Sequence, residues 1–234
     1  MSNGIKPGYG VRIIAEDNHI LVAYKPRGIL SQEDSTRDPD MLTILKDFIK
    51  KRDNKPGNVY LGLLHRLDRP VEGIMVFAKT SKCASRISEQ IRQHKVVKRY
   101  RAVIHGLMEE PEGELENYIQ KDPKTNMVKV LDKEYGGAKK AKLKYKTVGK
   151  SVMDGYPVSL VEVELETGRS HQIRSQFAHT GHPLAGDRRY GIKDDVTDIA
   201  LQSFVIGFFH PVTKEYVEYV LPVPQDAPWN VFGI

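Results

Sequence analysis

The sequence predicts an α+β protein built on a mostly antiparallel sheet. Strand-like runs outnumber helical patterns, the helical patterns are few and short, and no repeat, low-complexity tract or linker divides the 234 residues. Residues 20–24 (ILVAY) form the first continuous apolar run of strand length. Leu42, Leu45 and Ile49 then share one face of a helix over 41–52. Strands are expected at 59–64 and 74–78, with a second helix over 81–93 whose face carries Cys83, Ala84, Ile87 and Ile91. Further strands fall at 97–104, 158–165, 201–208 and 216–221, and a third, short helix at 172–179. A chain of this length buries one sizeable core, which suits a single domain over 1–234 shaped as two lobes.

The charge is +6, from 36 basic and 30 acidic residues, which suits a polyanionic partner but does not by itself separate nucleic-acid binders from other basic proteins. Cys83 is the only cysteine, so an internal disulfide and a CxxC zinc site are excluded and a reducing compartment is expected. The opening MSNGIKPGYG lacks a basic start followed by an apolar core, and no run is long enough to span a membrane. A soluble, cytoplasmic monomer is the expectation.

Three segments carry chemistry. HRLDRPVEG (65–73) sets Asp68 between Arg66 and Arg69 just after an apolar run. Nearby positive charge favours the carboxylate form, which serves either as a structural ion-pair partner or as a nucleophile. KRYRAVIHG (98–106) places Tyr100 among Lys98, Arg99 and Arg101 at the head of a strand, either as half-buried packing or as a stacking face for a base. ETGRSHQIR (166–174) ends a strand at Thr167-Gly168 and releases Arg169 at a turn into a helix. An arginine there keeps its charge and five donors, enough to lock a carboxylate from elsewhere in the chain.

With Asp68, Tyr100 and Arg169 in that order, the sequence resembles the RluA-type family of RNA pseudouridine synthases. The resemblance runs over nearly the whole chain: ILVAYKPRGIL at 20–30, HRLD with GIMVFAKT, KRYRA, TGRSHQIR, GHPLAGDRRYG at 181–191 and FFHP at 208–211. It implies the pseudouridine synthase fold, a mixed, mostly antiparallel sheet in two lobes with a central catalytic cleft and short flanking helices. It further implies that Asp68 is the catalytic aspartate, that Tyr100 packs on the target base and that Arg169 pairs with the aspartate. Arg66, His65, Arg174 and Leu201 become candidate substrate-binding residues, Arg66 filling the space left by a flipped uridine and His65 serving in packing and hydrogen bonding rather than as a proton shuttle. The substrate would be a uridine of ribosomal or transfer RNA, with neither metal nor redox cofactor called for.

Two departures stand out. Where the family commonly shows Thr-Ser-Gly after HRLD, this chain has Val71, Glu72 and Gly73, and an acid at 72 repels phosphate unless it is paired. Where the family tends to carry His-Ala after the leucine at 201, this chain has Gln202 and Ser203.

Lys140, Lys142, Lys144 and Lys146 alternate with Ala141, Leu143, Tyr145 and Thr147, which on a strand puts four ammonium groups on one face. That face is either a solvated edge that discourages strand pairing or a ridge that tracks RNA phosphates. His171, His179 and His182 lie close in sequence, but Gly181 and Pro183 break the helix that would align a metal pair, and no acid cluster supports one. Two rival functions remain: a non-catalytic RNA-binding module, which would not require Asp68, Tyr100 and Arg169 together, and a carboxylate glycosidase, which needs a second acid where only Glu72 is near.

Overall fold

The computed structural model describes residues 6–233. The chain divides into two compact units, Met1–Val96 with Val205–Leu221, and Val97–Phe204 with Pro222–Ile234. It is an α+β fold in which the strand pairs described below all run antiparallel.

In the first unit, β1 (Arg12–Glu16) pairs with β2 (Ile20–Lys25), and β2 pairs with β4 (Glu72–Ala78), bringing Lys25 opposite Gly73. The short β3 (Gly62–Leu63) also pairs with β4, so of the expected strand at 59–64 only two residues join the sheet. Every residue of β4 is buried, which explains its unbroken apolar reading apart from Glu72 and Gly73. Helix α1 (Met41–Arg52) starts where the Asp40 carboxylate accepts from the Thr43 N–H at 3.0 Å, and it ends in Lys50, Lys51 and Arg52. Those cations complement the negative end of the helix dipole. Helix α2 (Ser81–Arg92) is capped in the same way by Thr80, whose hydroxyl accepts from the Cys83 N–H at 3.2 Å.

The second unit is a run of long strands. β5 (Val97–His105) pairs with β9 (Tyr156–Leu165), β9 with β8 (Lys139–Met153), β8 with β6 (Glu112–Lys121), and β6 with β7 (Val128–Leu131). The β8–β9 hairpin turns at Asp154-Gly155, both at positive φ, which is the backbone a tight two-residue turn demands. Helix α3 (Gln172–His179) is buried from Gln172 through Phe177. A core of Val103, Met153, Val158, Leu160, Ala185, Val196 and Ala200 closes around the fully buried Trp229, against which Val231 and Phe232 pack. The last strands are β10 (Leu201–Phe209), whose first four residues belong to this unit and the rest to the first, and β11 (Tyr216–Val220), which pairs with β10.

Candidate active site

In the first unit, the loop carrying Asp68 is tied to the loop after β2 by backbone and side chains together. The Ser31 hydroxyl donates to the Leu67 carbonyl at 2.7 Å and accepts from the Leu67 N–H at 3.0 Å. Gly28 N–H donates to the Arg69 carbonyl at 3.0 Å, and the Asp68 carbonyl accepts from Val71 N–H at 3.0 Å, closing a turn. Asp68 itself is half-buried, and Arg66 is exposed. His65 accepts the Val76 N–H of β4 on Nε2 at 3.0 Å, so this nitrogen serves the sheet rather than a substrate.

The second flanking arginine does not serve Asp68 as its position in the sequence suggests. Arg69 pairs with Asp38 at 2.8 Å and donates through Nε to the Gly28 carbonyl at 3.0 Å. The cation beneath the loop is instead Lys25, which sequence reasoning missed. Its side chain is fully buried, and its ammonium donates to the carbonyls of Val71 at 2.7 Å, Arg69 at 3.0 Å and Pro26 at 3.1 Å. Burial pushes its pKa down to about 7, while the charges of Asp68 and Glu72 work the other way and favour the ammonium. The available signal was a lysine closing an otherwise apolar strand directly before Pro26.

Glu72 is buried and paired, so it does not face phosphate. Its carboxylate accepts from the Tyr24 hydroxyl in a short hydrogen bond and from Arg27 Nη2 at 2.8 Å. The Tyr24 hydroxyl is pushed well above its usual range by burial and by the neighbouring Glu72 carboxylate. Arg12 also lies 4.3 Å from the centre of the Tyr24 ring. The acid is thus one member of a local polar network in which the family's small hydroxyl residues are replaced. Glu72→Ala is expected to destabilise the protein by about 2 kcal/mol, because it removes the buried carboxylate that accepts from both the Tyr24 hydroxyl and Arg27. Urea unfolding checks this, and an unchanged midpoint would count against it.

In the second unit, the turn that carries Arg169 is pinned to β8. The Thr167 hydroxyl accepts from Lys142 N–H at 2.8 Å, and the Gln172 amide oxygen accepts from both the Thr167 hydroxyl at 2.9 Å and the Arg169 N–H at 3.0 Å. The Gln172 amide nitrogen donates to the Lys142 carbonyl at 3.1 Å. The exposed Arg169 side chain spends one of its five donors on the Lys140 carbonyl at 2.9 Å. His171 follows in the left-handed region at φ 52° and forms a 2.7 Å hydrogen bond with the Tyr190 hydroxyl. Tyr100 is largely buried on β5 opposite Val163, and Leu201 is buried at the start of β10.

Two candidate sets take roles other than those expected. Arg174 is buried in a bidentate pair with Asp187, at 2.8 Å through Nε and 2.7 Å through Nη2, which makes it a brace for the GDRRYG loop rather than a group presented to RNA. Asp187 also accepts the N–H groups of Arg189 and Tyr190, so its anion is fully used. The four lysines do share a face, but that face is not a ridge of uncompensated charge. Lys140 pairs with Glu116 at 2.7 Å, Lys142 with Glu114 at 3.0 Å, and Lys144 with Glu166 at 3.3 Å, while Lys146 lies opposite Glu112 and Glu162. Arg99 and Arg101 continue the pattern against Glu164 and Glu162 on β9. Basic and acidic strands therefore alternate across the sheet, and cross-strand attraction accounts for the lysines. Removing each lysine together with its opposing glutamate is expected to leave the salt dependence of RNA binding unchanged; a flatter dependence would return the phosphate role to these lysines.

Similarity to known proteins agrees with this geometry. The family model for RNA pseudouridylate synthase matches residues 19–179. The chain is 33% identical to the RNA pseudouridine synthase YjbO of Bacillus subtilis, with 94% of this chain and 75% of that protein covered. It is 31% identical to the ribosomal large subunit pseudouridine synthase D of Neisseria meningitidis serogroup A, with 92% of this chain and 58% of that protein covered. In fold it is similar to human RNA pseudouridylate synthase domain containing 1, with a TM-score of 0.77, 22% identity, and 96% and 91% of the two chains covered. The motifs, the anchored aspartate loop and these matches converge: the chain belongs to the RNA pseudouridylate synthase family of the RluA type, whose members are isomerases.

Proposed function

We propose that this protein converts a specific uridine of ribosomal RNA to pseudouridine, with Asp68 as nucleophile and residues 1–234 as one catalytic domain. The observation that carries the reading is the anchoring of the Asp68 loop, where a buried ammonium and a buried serine hydroxyl hold the backbone on both sides of the aspartate. Catalysis by a positioned carboxylate needs such preorganisation, since small displacements of a reacting group cost large factors in rate. Asp68 attacks the ribose 1'-carbon or the pyrimidine ring of the target, or assists formation of a glycal, while Tyr100 and Arg169 keep the roles that the family resemblance implies. Arg66, exposed beside Asp68, takes the space vacated by the flipped nucleotide. Ribosomal RNA is favoured over transfer RNA by the names of the relatives that act on the large ribosomal subunit. A buried free thiol at Cys83 suits a reducing compartment, and the cytoplasm is the place we assign.

The test is a pseudouridine map of total RNA, by carbodiimide labelling and primer extension, from cells with and without the gene. Loss of one ribosomal site, restored by the wild type and not by Asp68→Asn, is expected. Restoration by the aspartate variant would remove Asp68 from the nucleophile's role, and loss at a transfer RNA site would correct the substrate.

A further inference from the structure

The two faces of the β5–β9–β8–β6 sheet differ sharply in charge. On one lie Arg99, Arg101 and Lys140, Lys142, Lys144 and Lys146 of β8, each set against glutamates of neighbouring strands. On the other, the β5 face carries Lys98, Tyr100, Ala102 and Ile104, beside Val161 and Val163 of β9 and Leu143 and Tyr145 of β8. All of these except Lys98 are buried apolar or aromatic residues. Lys98 therefore sets an ammonium on the apolar side of the sheet, two residues from Tyr100.

Among the described residues no carboxylate pairs with Lys98, and burial alone drives its pKa below the usual lysine range. A β-carbon at Gly168 would sit 3.2 Å from Nζ, so the ammonium is packed against the turn that delivers Arg169. A half-buried cation with no anion beside it is poorly compensated, and an anionic oxygen of a ligand would supply the missing charge. The proposed chemistry does not otherwise use this side chain.

We propose that Lys98 is a substrate-contacting residue whose ammonium takes an anionic oxygen of the target nucleotide. The inference rests on the proposed function above. Such an oxygen has two sources in this reaction. One is the phosphodiester beside the target uridine. The other is the uracil ring itself: when the bond from the ribose carbon to N1 breaks, its electron pair stays on the ring and spreads onto the carbonyl oxygens. The ring then rejoins through C5, the C5 proton is lost, N1 gains a proton, and the product is an isomer with nothing added or removed.

The experiment compares wild type, Lys98→Met and Lys98→Arg on an RNA in which wild type forms pseudouridine, reading RNA affinity against salt, single-turnover rate at saturating RNA, and melting temperature. If the phosphodiester is the partner, the Met variant binds RNA about tenfold more weakly, its salt slope falls by about one, and its rate at saturation is kept. If the uracil anion is the partner, affinity holds and the rate at saturation falls about a hundredfold or more. In either case Lys98→Arg recovers part of the loss, and the Met variant melts higher than wild type, because an apolar isostere replaces an unpaired cation. Unchanged affinity and rate in Lys98→Met would overturn the inference alone. So would a lower melting temperature accompanying the losses, which would make Lys98 a structural support. Wild type forming no pseudouridine in any RNA would instead overturn the functional reading, and this inference with it.

Discussion

Asp68→Asn is expected, on the proposed function, to abolish pseudouridine formation while RNA affinity stays within about threefold of wild type. The substitution keeps the size of the side chain, and the loop around it is held by bonds that do not involve the carboxylate: Ser31 on both backbone groups of Leu67, Lys25 on the carbonyls of Arg69 and Val71, and Gly28 on Arg69. The loop is therefore expected to survive, with only the carboxylate lost. On the proposed mechanism the carboxylate is the group every route depends on, so a fall of about 10⁴-fold or more in single-turnover rate is expected. Pseudouridine appearing at a rate near that of wild type would show that Asp68 is not the attacking group.

Lys25→Met is expected to lose about a hundredfold in activity and about 3 kcal/mol in stability. The methionine fills the same space but leaves the carbonyls of Pro26, Arg69 and Val71 without their donor. Two of these belong to the turn that follows Asp68, and a shift of the order of 1 Å at a reacting group is enough for a hundredfold loss. The stability difference carries a pH signature. Lys25 has a folded pKa of about 7 against an ordinary value of 10.5, so between these limits the unfolded chain binds a proton that the native protein has released. Native stability due to this group thus rises with pH across that window, and the gap between wild type and Lys25→Met widens from pH 6 to about pH 9. Urea unfolding at both pH values measures it. An equal gap would mean that Lys25 stays charged throughout.

Much of the fold was legible where local pattern and burial coincide. The apolar run at 20–24 is β2, and the helix faces at 41–52, 81–93 and 172–179 are α1, α2 and α3 with ends displaced by at most one residue. The strands that sequence reasoning missed are β1, β6 and β7. β6 reads EGELENYIQK, a polar segment whose glutamates become strand residues only because Lys142, Lys144 and Lys146 lie across from them. Nothing within ten residues of β6 carries that information. The same limit applied to the site. The motif showed Asp68 and its arginines, but not that Arg69 turns to Asp38 and that Arg174 is taken up by Asp187.

By itself the sequence determined the α+β class, the succession of most elements and, through the order of several motifs, the family, because periodicity and motif order are properties of the chain written out in a line. Only the tertiary structure decided which charge meets which: Lys25 under residues 69–71, Glu72 against Tyr24 and Arg27, the lysines at 140–146 of β8 against glutamates on neighbouring strands, and Lys98 against no carboxylate among the described residues. The reason is physical. Hydrogen bonds and ion pairs fall off within a few ångströms and depend on local burial, and groups 45 residues apart, such as Arg27 and Glu72, acquire both distance and burial only when the strands that carry them pair.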